Sequence, residues 1–331
     1  MKAVNCVIIR GIILYQEAIK MSTVAVVGSL NIDLIMRAPH CPVKSETVIG
    51  GPFGMAGGGK GSNQALAVSR LNAKSYMIGC VGEDDFGKRL RSVLTQNNVD
   101  CTHLYTKKEA ATGTALITVT DDGESSIVIS QGANAFLNEG DIMEAKHIFD
   151  SCDAALFQME SPAETVTAGL KMARRYGCKT FLSAEPPYSL PPGAWTDIEC
   201  MILNERALGF YADTASRGSI NAMARDILNK GVQTLVVTRS SRGGIVFSKN
   251  GDNFSFDAFN IRAVDNTGAR DAFCAGLCVG LSEGMPMRRA AKFGAACGAL
   301  ACTKIGAHPS LPWRHQVGAL LGEAGDDEYE L

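Results

Sequence analysis

The sequence predicts an α/β protein: a central, mostly parallel sheet with helices on both faces, carrying a small β-sheet lid. Three observations support this. Short β-branched runs alternate with helix-length segments along most of the 331 residues. Those runs are continuously apolar, as strands covered on both faces are. Two stretches break the alternation and read as strand pairs.

The first strand is 23–28 (TVAVVG), and similar runs follow at 75–81 (SYMIGCV), 154–158 (AALFQ), 179–183 (KTFLS) and 234–238 (TLVVT). Helical segments are expected between them at 61–71, 85–97, 162–176 and 219–230, and late in the chain at 287–303 and 313–321. The exceptions are 34–51 and 112–129. In the second, ALITVT and SSIVIS flank the turn DDGE. Together they are expected to form an antiparallel flap that closes over a ligand. With no repeat and no low-complexity linker, one domain over 22–321 is the expected parse. Residues 1–21 read as an extension ahead of a second Met, without a cleavage signature. Residues 322–331 (GEAGDDEYEL) read as an acidic tail.

Composition narrows the function. A net charge of −2 gives no electrostatic case for nucleic acid or an anionic membrane surface. No apolar run approaches the ~18 residues of a membrane span. Eleven scattered Cys without ligand spacing read as reduced thiols, which places the chain in the cytoplasm, with the nucleus as a second compartment. The five His do not cluster in sequence, so a His-based metal site or triad is not expected.

Three stretches carry chemistry. In 264–273, VDNTGARDAF, a Gly-Ala turn follows a partly alternating apolar run (Phe256, Phe259, Ile261, Ala263) and opens a small-residue helix. Backbone amides at a helix N-terminus favour anions. Asp271 is therefore a candidate base for phosphoryl transfer, with the amides of Gly268, Ala269 and Arg270 as an anion hole. A plain helix cap is the competing role for Asp271. In GGGKGSNQ (57–64), glycines allow close approach of backbone to ligand, and Lys60 and Asn63 add polar groups; this is not a Walker A loop. GSLNID (28–33) ends the first strand, where open α/β sheets bind ligands, and Asn31 and Asp33 suit a polyol. An Asx turn is the plainer reading.

Together these motifs resemble the ribokinase branch of the phosphofructokinase-B carbohydrate kinase family, over roughly Val24 to Trp313. GSLNID and GGGKGSNQA are similar to its sugar-binding strand end and first signature, and VDNTGARDAF to its second. TGTALITV and SQGANAFL resemble the lid strand and following segment. QMES (158–161) resembles the segment that supplies a sugar-contacting Glu, here Glu160, and GAHPSLPW the C-terminal segment. The resemblance implies a ribokinase-like fold with a central sheet of about nine strands, and transfer of the ATP γ-phosphoryl group to the 5-hydroxyl of ribose. It assigns the sugar to Asn31, Asp33, Gly59, Lys60, Asn63 and Glu160, with Asp271 as base. It assigns the nucleotide to Asn204, Thr238, Ser240 and Gly243. It implies Mg2+ with ATP, and a potassium-like monovalent activator at Asp265, Thr267, Gly306 and Ser310. Lids of this branch commonly pair as homodimers.

The departures from the family pattern all fall on the nucleotide side. GAGD reads GARD, with Arg270. Asn-x-x-Glu reads NERA, with Ala207. Thr-x-Gly reads TRS, with Ser240. Asn-Pro-Ala-Pro reads EPPY, with Glu185. A ribokinase with a rebuilt nucleotide site, a sugar-binding pseudokinase with little or no ATP turnover, and a kinase for another sugar or nucleoside all fit this asymmetry. In the first reading, Arg270 and Arg239 supply charge-assisted phosphate contacts.

Overall fold

The computed structural model describes residues 4–9, 12–17, 21–122, 124–216 and 218–322. The first half of the chain contains β1 (Val4–Ile9), β2 (Ile12–Glu17), β3 (Thr23–Val27), β4 (Asn31–Ala38), β5 (Phe53–Gly58), α1 (Lys60–Arg70), β6 (Lys74–Gly82), α2 (Asp85–Gln96), β7 (Val99–Asp100), β8 (Leu104–Lys107), β9 (Gly113–Thr120) and β10 (Ser125–Ser130). The second half contains α3 (Glu139–Glu144), α4 (Lys146–Ser151), β11 (Ala154–Gln158), α5 (Ala163–Arg175), β12 (Lys179–Ser183), β13 (Cys200–Asn204), α6 (Glu205–Tyr211), α7 (Ile220–Lys230), β14 (Thr234–Thr238), β15 (Gly244–Ser248), β16 (Phe254–Phe256), α8 (Ala269–Ser282), α9 (Met287–Ala301), α10 (Ala307–Ser310) and α11 (Arg314–Leu321).

The apolar runs form strands because each can bury both of its faces. Val24 and Val26 of β3 join one hydrophobic core with Leu66, Met77, Phe273 and Leu277. Ala25 and Val27 join a second core with Ile78, Phe149, Phe157 and Leu170. The period-two alternation of a strand thus splits one continuous apolar run between two helical layers. Helix ends follow local chemistry. Asp84 caps α2 by accepting from the Gly87 amide at 2.8 Å, Ser219 caps α7, and Gly231 (φ 136°) ends it.

The main sheet runs β16-β15-β14-β13-β12-β11-β3-β6-β7, with β8 also pairing with β6. It is parallel from β14 to β7, and β15 and β16 add antiparallel. The chain lays β6 on one side of β3 and later returns to lay β11 on the other. The carboxyl ends of β3 and β11 therefore flank a topological switch point, where open α/β sheets take ligands. A separate small sheet, β10-β9-β4-β5, stands where the lid was expected; it is mixed rather than an antiparallel flap, because β4 pairs with β9 in parallel. Among the described residues no helix is long and apolar enough to cross a membrane.

Several boundaries differ from the sequence reading. Residues 34–51 do not hold a strand pair: β4 ends at Ala38, residues 39–52 are irregular, and the pairing strand is β5, which uses Gly57 and Gly58 of the glycine-rich stretch. Glycine is required there because a Cβ on Gly58 would run into the Asp33 carboxylate, and one on Gly57 into the His308 ring. The alternating run before Gly268 is strand only as far as Phe256; 257–266 is irregular. The short strands β7, β8, β13, β15 and β16 were not anticipated, nine strands lie along the sheet path, and β8 adds to them. The extension 1–21 contains the β1–β2 hairpin. Apart from Gly322, which ends α11 with φ 73°, the acidic tail lies outside the described residues.

Candidate active site

The switch point is where the sugar-side residues meet. Ser29, just after β3, donates to Glu160 Oε2, just after β11, at 2.5 Å. Lys60, the first residue of α1, pairs with Glu160 Oε1 at 3.2 Å. Gly59 sits before it at φ 86°; a Cβ there would stand 2.6 Å from the Asn31 amide nitrogen, so only glycine lets α1 start against the first loop. Asn31 and Asp33 project from β4, and both are buried.

Asp271, in the first turn of α8, lies against the first turn of α1. Asn63 Nδ2 donates to its Oδ2 at 2.8 Å, and Gln64 Nε2 to its Oδ1 at 2.9 Å. Gln158 Nε2 in turn donates to Gln64 Oε1 at 2.6 Å, so a side-chain chain from β11 fixes the carboxylate. α8 is buried along most of its length and packs between α1 and α9, which makes it a rigid mount for Asp271.

The electrostatics are those of three carboxylates gathered around one ammonium. Burial pushes the Asp33 carboxyl up to about 7, with Glu160 adding to the rise and Lys60 opposing it. Burial also raises Asp271, against the lowering effects of Lys60, Asn63 and Gln64. Burial depresses the Lys60 ammonium, but Glu160 and Asp271 outweigh it and leave it above its ordinary value. A buried acceptor, Asn63 Oδ1, has no hydrogen-bond partner. A ligand hydroxyl would supply the missing donor.

The turn before α8 is built for an anion. Gly268 takes the left-handed conformation, φ 80° and ψ −9°, and α8 begins at Ala269. The amides of Gly268, Arg270 and Asp271 have no protein acceptor among the described residues, as the opening of a helix leaves them, whereas the Ala269 amide, also expected in the anion hole, is taken up by the Asn266 carbonyl at 3.2 Å in the turn. Arg270 is already helical and carries no backbone strain; the residue of the motif that needs positive φ is Gly268. Behind the turn, Asp265 Oδ1 accepts from the Thr267 amide (2.9 Å) and hydroxyl (2.6 Å), and its Oδ2 from the Gly306 amide (2.8 Å). Ser310 Oγ reaches the Thr267 carbonyl at 3.4 Å. The residues assigned to the monovalent cation are thus brought together. Burial of Asp265 is outweighed by these hydrogen bonds, so its carboxyl lies below the ordinary value.

The residues that the resemblance assigns to the nucleotide lie at or just beyond the carboxyl ends of two neighbouring strands, β13 and β14, next to β12. Here the altered residues pair with one another. Arg270 forms an ion pair with Glu185 Oε2. Glu185 also accepts from the Asn204 amide (2.8 Å) and from Asn204 Nδ2 (3.0 Å). Asn204 Oδ1 caps α6 on the Ala207 amide at 2.8 Å. Glu205 holds Arg239 (3.0 Å) and Arg242 (2.5 Å). Thr238 donates to the Leu203 carbonyl at 3.3 Å. Ser240, where glycine was expected, keeps a glycine-like φ of 52°, a strain of about 1–2 kcal/mol, and Gly243 closes its turn at φ 72°.

The sequence reading missed Gln64, Gln158, Ser29 and Asn134. Asn134 Nδ2 donates to Asn31 Oδ1 at 2.8 Å, which leaves the Asn31 amide NH2 to face a ligand. All four lie inside or beside stretches already singled out, but their roles depend on partners about 100 residues away. Two of the five histidines do meet: His103 Nε2 and His147 Nε2 stand 3.3 Å apart. His308 is buried with Nε2 3.0 Å from Ser62 Oγ, and burial lowers it to about 4. Among the described residues no group of three or more His, Cys, Asp or Glu forms a metal cluster.

A switch-point site with a buried carboxylate at a helix N-terminus, beside a separate small sheet, suits transfer of an anionic group to a small polar molecule. The pfkB family carbohydrate kinase profile matches residues 21–314, and the chain belongs to that family. It is similar to the ribokinase of Haemophilus influenzae, 32% identical over 304 residues that span 91% of this chain and 99% of the relative. It is 34% identical to mouse ribokinase over 270 residues, 80% of this chain and 82% of the relative. The fold matches Arabidopsis thaliana ribokinase complexed with ribose and ATP, with a TM-score of 0.84, 27% identity and coverage of 92% and 99%. It also matches Thermotoga maritima ribokinase, with a TM-score of 0.83, 28% identity and coverage of 91% and 100%.

Proposed function

We propose that the protein transfers the γ-phosphoryl group of ATP to the 5-hydroxyl of ribose. The observation that carries this is the placement of Asp271: both oxygens are held by Asn63 and Gln64, beside free amides at the α8 N-terminus and within the field of Lys60 and Glu160. Asn31, Asp33, Gly59, Lys60, Asn63 and Glu160 bind the sugar hydroxyls. Asp271 takes the proton of the attacking hydroxyl; burial raises its basicity, which suits that step. The amides of Gly268, Arg270 and Asp271 stabilise charge on the transferred group, worth on the order of 10²–10³ in rate per donor. Phosphoryl transfer asks mainly for such positioning and charge stabilisation.

The family implies ATP with Mg2+. The described residues offer the metal no free carboxylate pair: Glu185 and Glu205 are ion-paired, and Ala207 brings no oxygen. Mg2+ would therefore arrive with the ATP rather than on a preformed protein site. Asp265, Thr267, Gly306 and Ser310 supply the hard oxygen donors that suit K+, whose charge would reinforce the anion hole. We assign the protein to the cytoplasm.

The dimer reading has support from the lid. By strand register, Leu34, Met36, Phe53, Met55, Leu116 and Val128 share the face opposite Asp33. Phe53 (59%), Leu116 (56%) and Val128 (68%) are exposed there, an apolar surface that a second lid would cover.

A coupled assay of ADP release with ribose, Mg2+ and K+ tests the activity. Ribose-dependent turnover abolished by Asp271→Ala is expected; equal silence of both proteins refutes it. The Arg270–Glu185 pair favours a second reading, a sugar-binding pseudokinase, which predicts ribose binding by calorimetry without nucleotide binding.

A further inference from the structure

Arg270 and Glu185 are each unusual residues for their positions, and the fold places them in contact. Arg270 is the second residue of α8, beside the free amides; Glu185 follows β12 by two residues. The partners are held unequally. The Glu185 side chain is 11% exposed and is anchored twice on Asn204, through the backbone amide and through Nδ2. The Arg270 side chain is 36% exposed, and its only hydrogen bond among the described residues is to Glu185. One strand further, Glu205 occupies Arg239 and Arg242 in the same way.

We propose that Glu185 is an internal counter-anion for the nucleotide site: it holds the Arg270 guanidinium until a polyphosphate takes that guanidinium over, and so it weakens and gates nucleotide binding. This rests on the reading of the site as nucleotide-dependent. A guanidinium fork fits a phosphate as well as a carboxylate, and a polyphosphate offers more charge. Glu185 stays behind, fixed on Asn204, when Arg270 leaves. Its negative charge then faces the bound phosphates without a counter-ion, which opposes the nucleotide rather than the sugar. The departures at 185 and 270 thereby form one coupled exchange, with Glu185 acting through Arg270 as a positioning residue.

Glu185→Gln keeps a carbonyl oxygen for the Asn204 amide and removes the charge. Its affinity for a non-hydrolysable ATP analogue, measured by calorimetry, is expected to rise about tenfold, the scale of one charge-assisted hydrogen bond. KM for ATP should fall in step, with KM for ribose unchanged. Arg270→Gln should weaken analogue binding about tenfold or more, and in that background Glu185→Gln should recover part of the loss. Thermal melting and ribose calorimetry confirm that each variant is folded. Unchanged or weaker analogue binding in folded Glu185→Gln overturns the proposal, as does the absence of saturable analogue binding in every version. Tighter analogue binding in a protein that does not phosphorylate ribose would refute only the sugar assignment.

Discussion

Gln64→Met isolates what the side-chain chain behind Asp271 does. Methionine fills nearly the same volume as glutamine but donates nothing to Asp271 Oδ1 and accepts nothing from Gln158 Nε2. The lost bond is to a charged acceptor, a class worth about 1.5–3 kcal/mol. Its loss raises the Asp271 pKa further above the ordinary carboxylate value. Gln64 is one of the groups that now lowers it, so the direction is fixed. An essential base must be deprotonated, so the acid limb of the kcat/KM profile should move to higher pH, with the alkaline plateau little changed. The limb reports Asp33 and Asp271 together, so the direction of the shift and not its absolute position is the readout. Stability should also change with pH. A carboxyl raised in the folded state contributes stability fully below its unfolded value and loses it as pH rises through the folded value. The Gln64→Met deficit in urea unfolding should therefore grow as pH rises above the ordinary carboxylate range. An acid limb that stays in place, in a folded variant, would refute the role given to Gln64.

Asp33, raised from 3.8 to about 7, should make wild-type stability decline between about pH 4 and pH 7. The ceiling is about 4 kcal/mol, three units at 1.36 each; Asp33→Asn should flatten that part of a urea-unfolding series, and an unchanged slope would contradict the assignment. Gly268→Ala forces a side chain into φ 80° and sets its Cβ 3.3 Å from Ala307 Cα, so it should cost about 1–2 kcal/mol by unfolding and lower kcat through misaligned amides. Ala269→Gly, inside the helix, should cost no more than about 1 kcal/mol and spare kcat. Val128→Lys, at a 68% exposed lid position, should shift sedimentation toward monomer without loss of fold; an unchanged sedimentation profile would remove the lid from the dimer interface.

The main sheet was legible because its strands are self-declaring. Residues 154–158, 179–183 and 234–238 were located to the residue, since a short, mostly apolar run between two helix-length segments has little alternative to a buried strand. The lid was half legible. The DDGE turn announced β9 and β10, whereas β5 was hidden by glycines that sequence reasoning assigns to turns and the structure assigns to close packing under Asp33 and His308. Short edge strands such as β7 and β16 were missed because two or three residues carry no period.

Sequence alone determined the strand–helix alternation, because periodicity suffices for it, and the family likeness, because separate motifs fall in one order. Only through that likeness did it group Asn31, Asp33, Lys60, Asn63, Glu160 and Asp271 and assign the departures to the nucleotide side. Only the tertiary structure decided what those departures do. Arg270 is unstrained because the left-handed residue is Gly268, and it meets Glu185 across 85 positions of chain. Gln64 and Gln158, separated by 94, orient the base together. Charge pairing and hydrogen bonding depend on distance in space, and that distance is set by the order of strands in the sheet rather than by position along the chain.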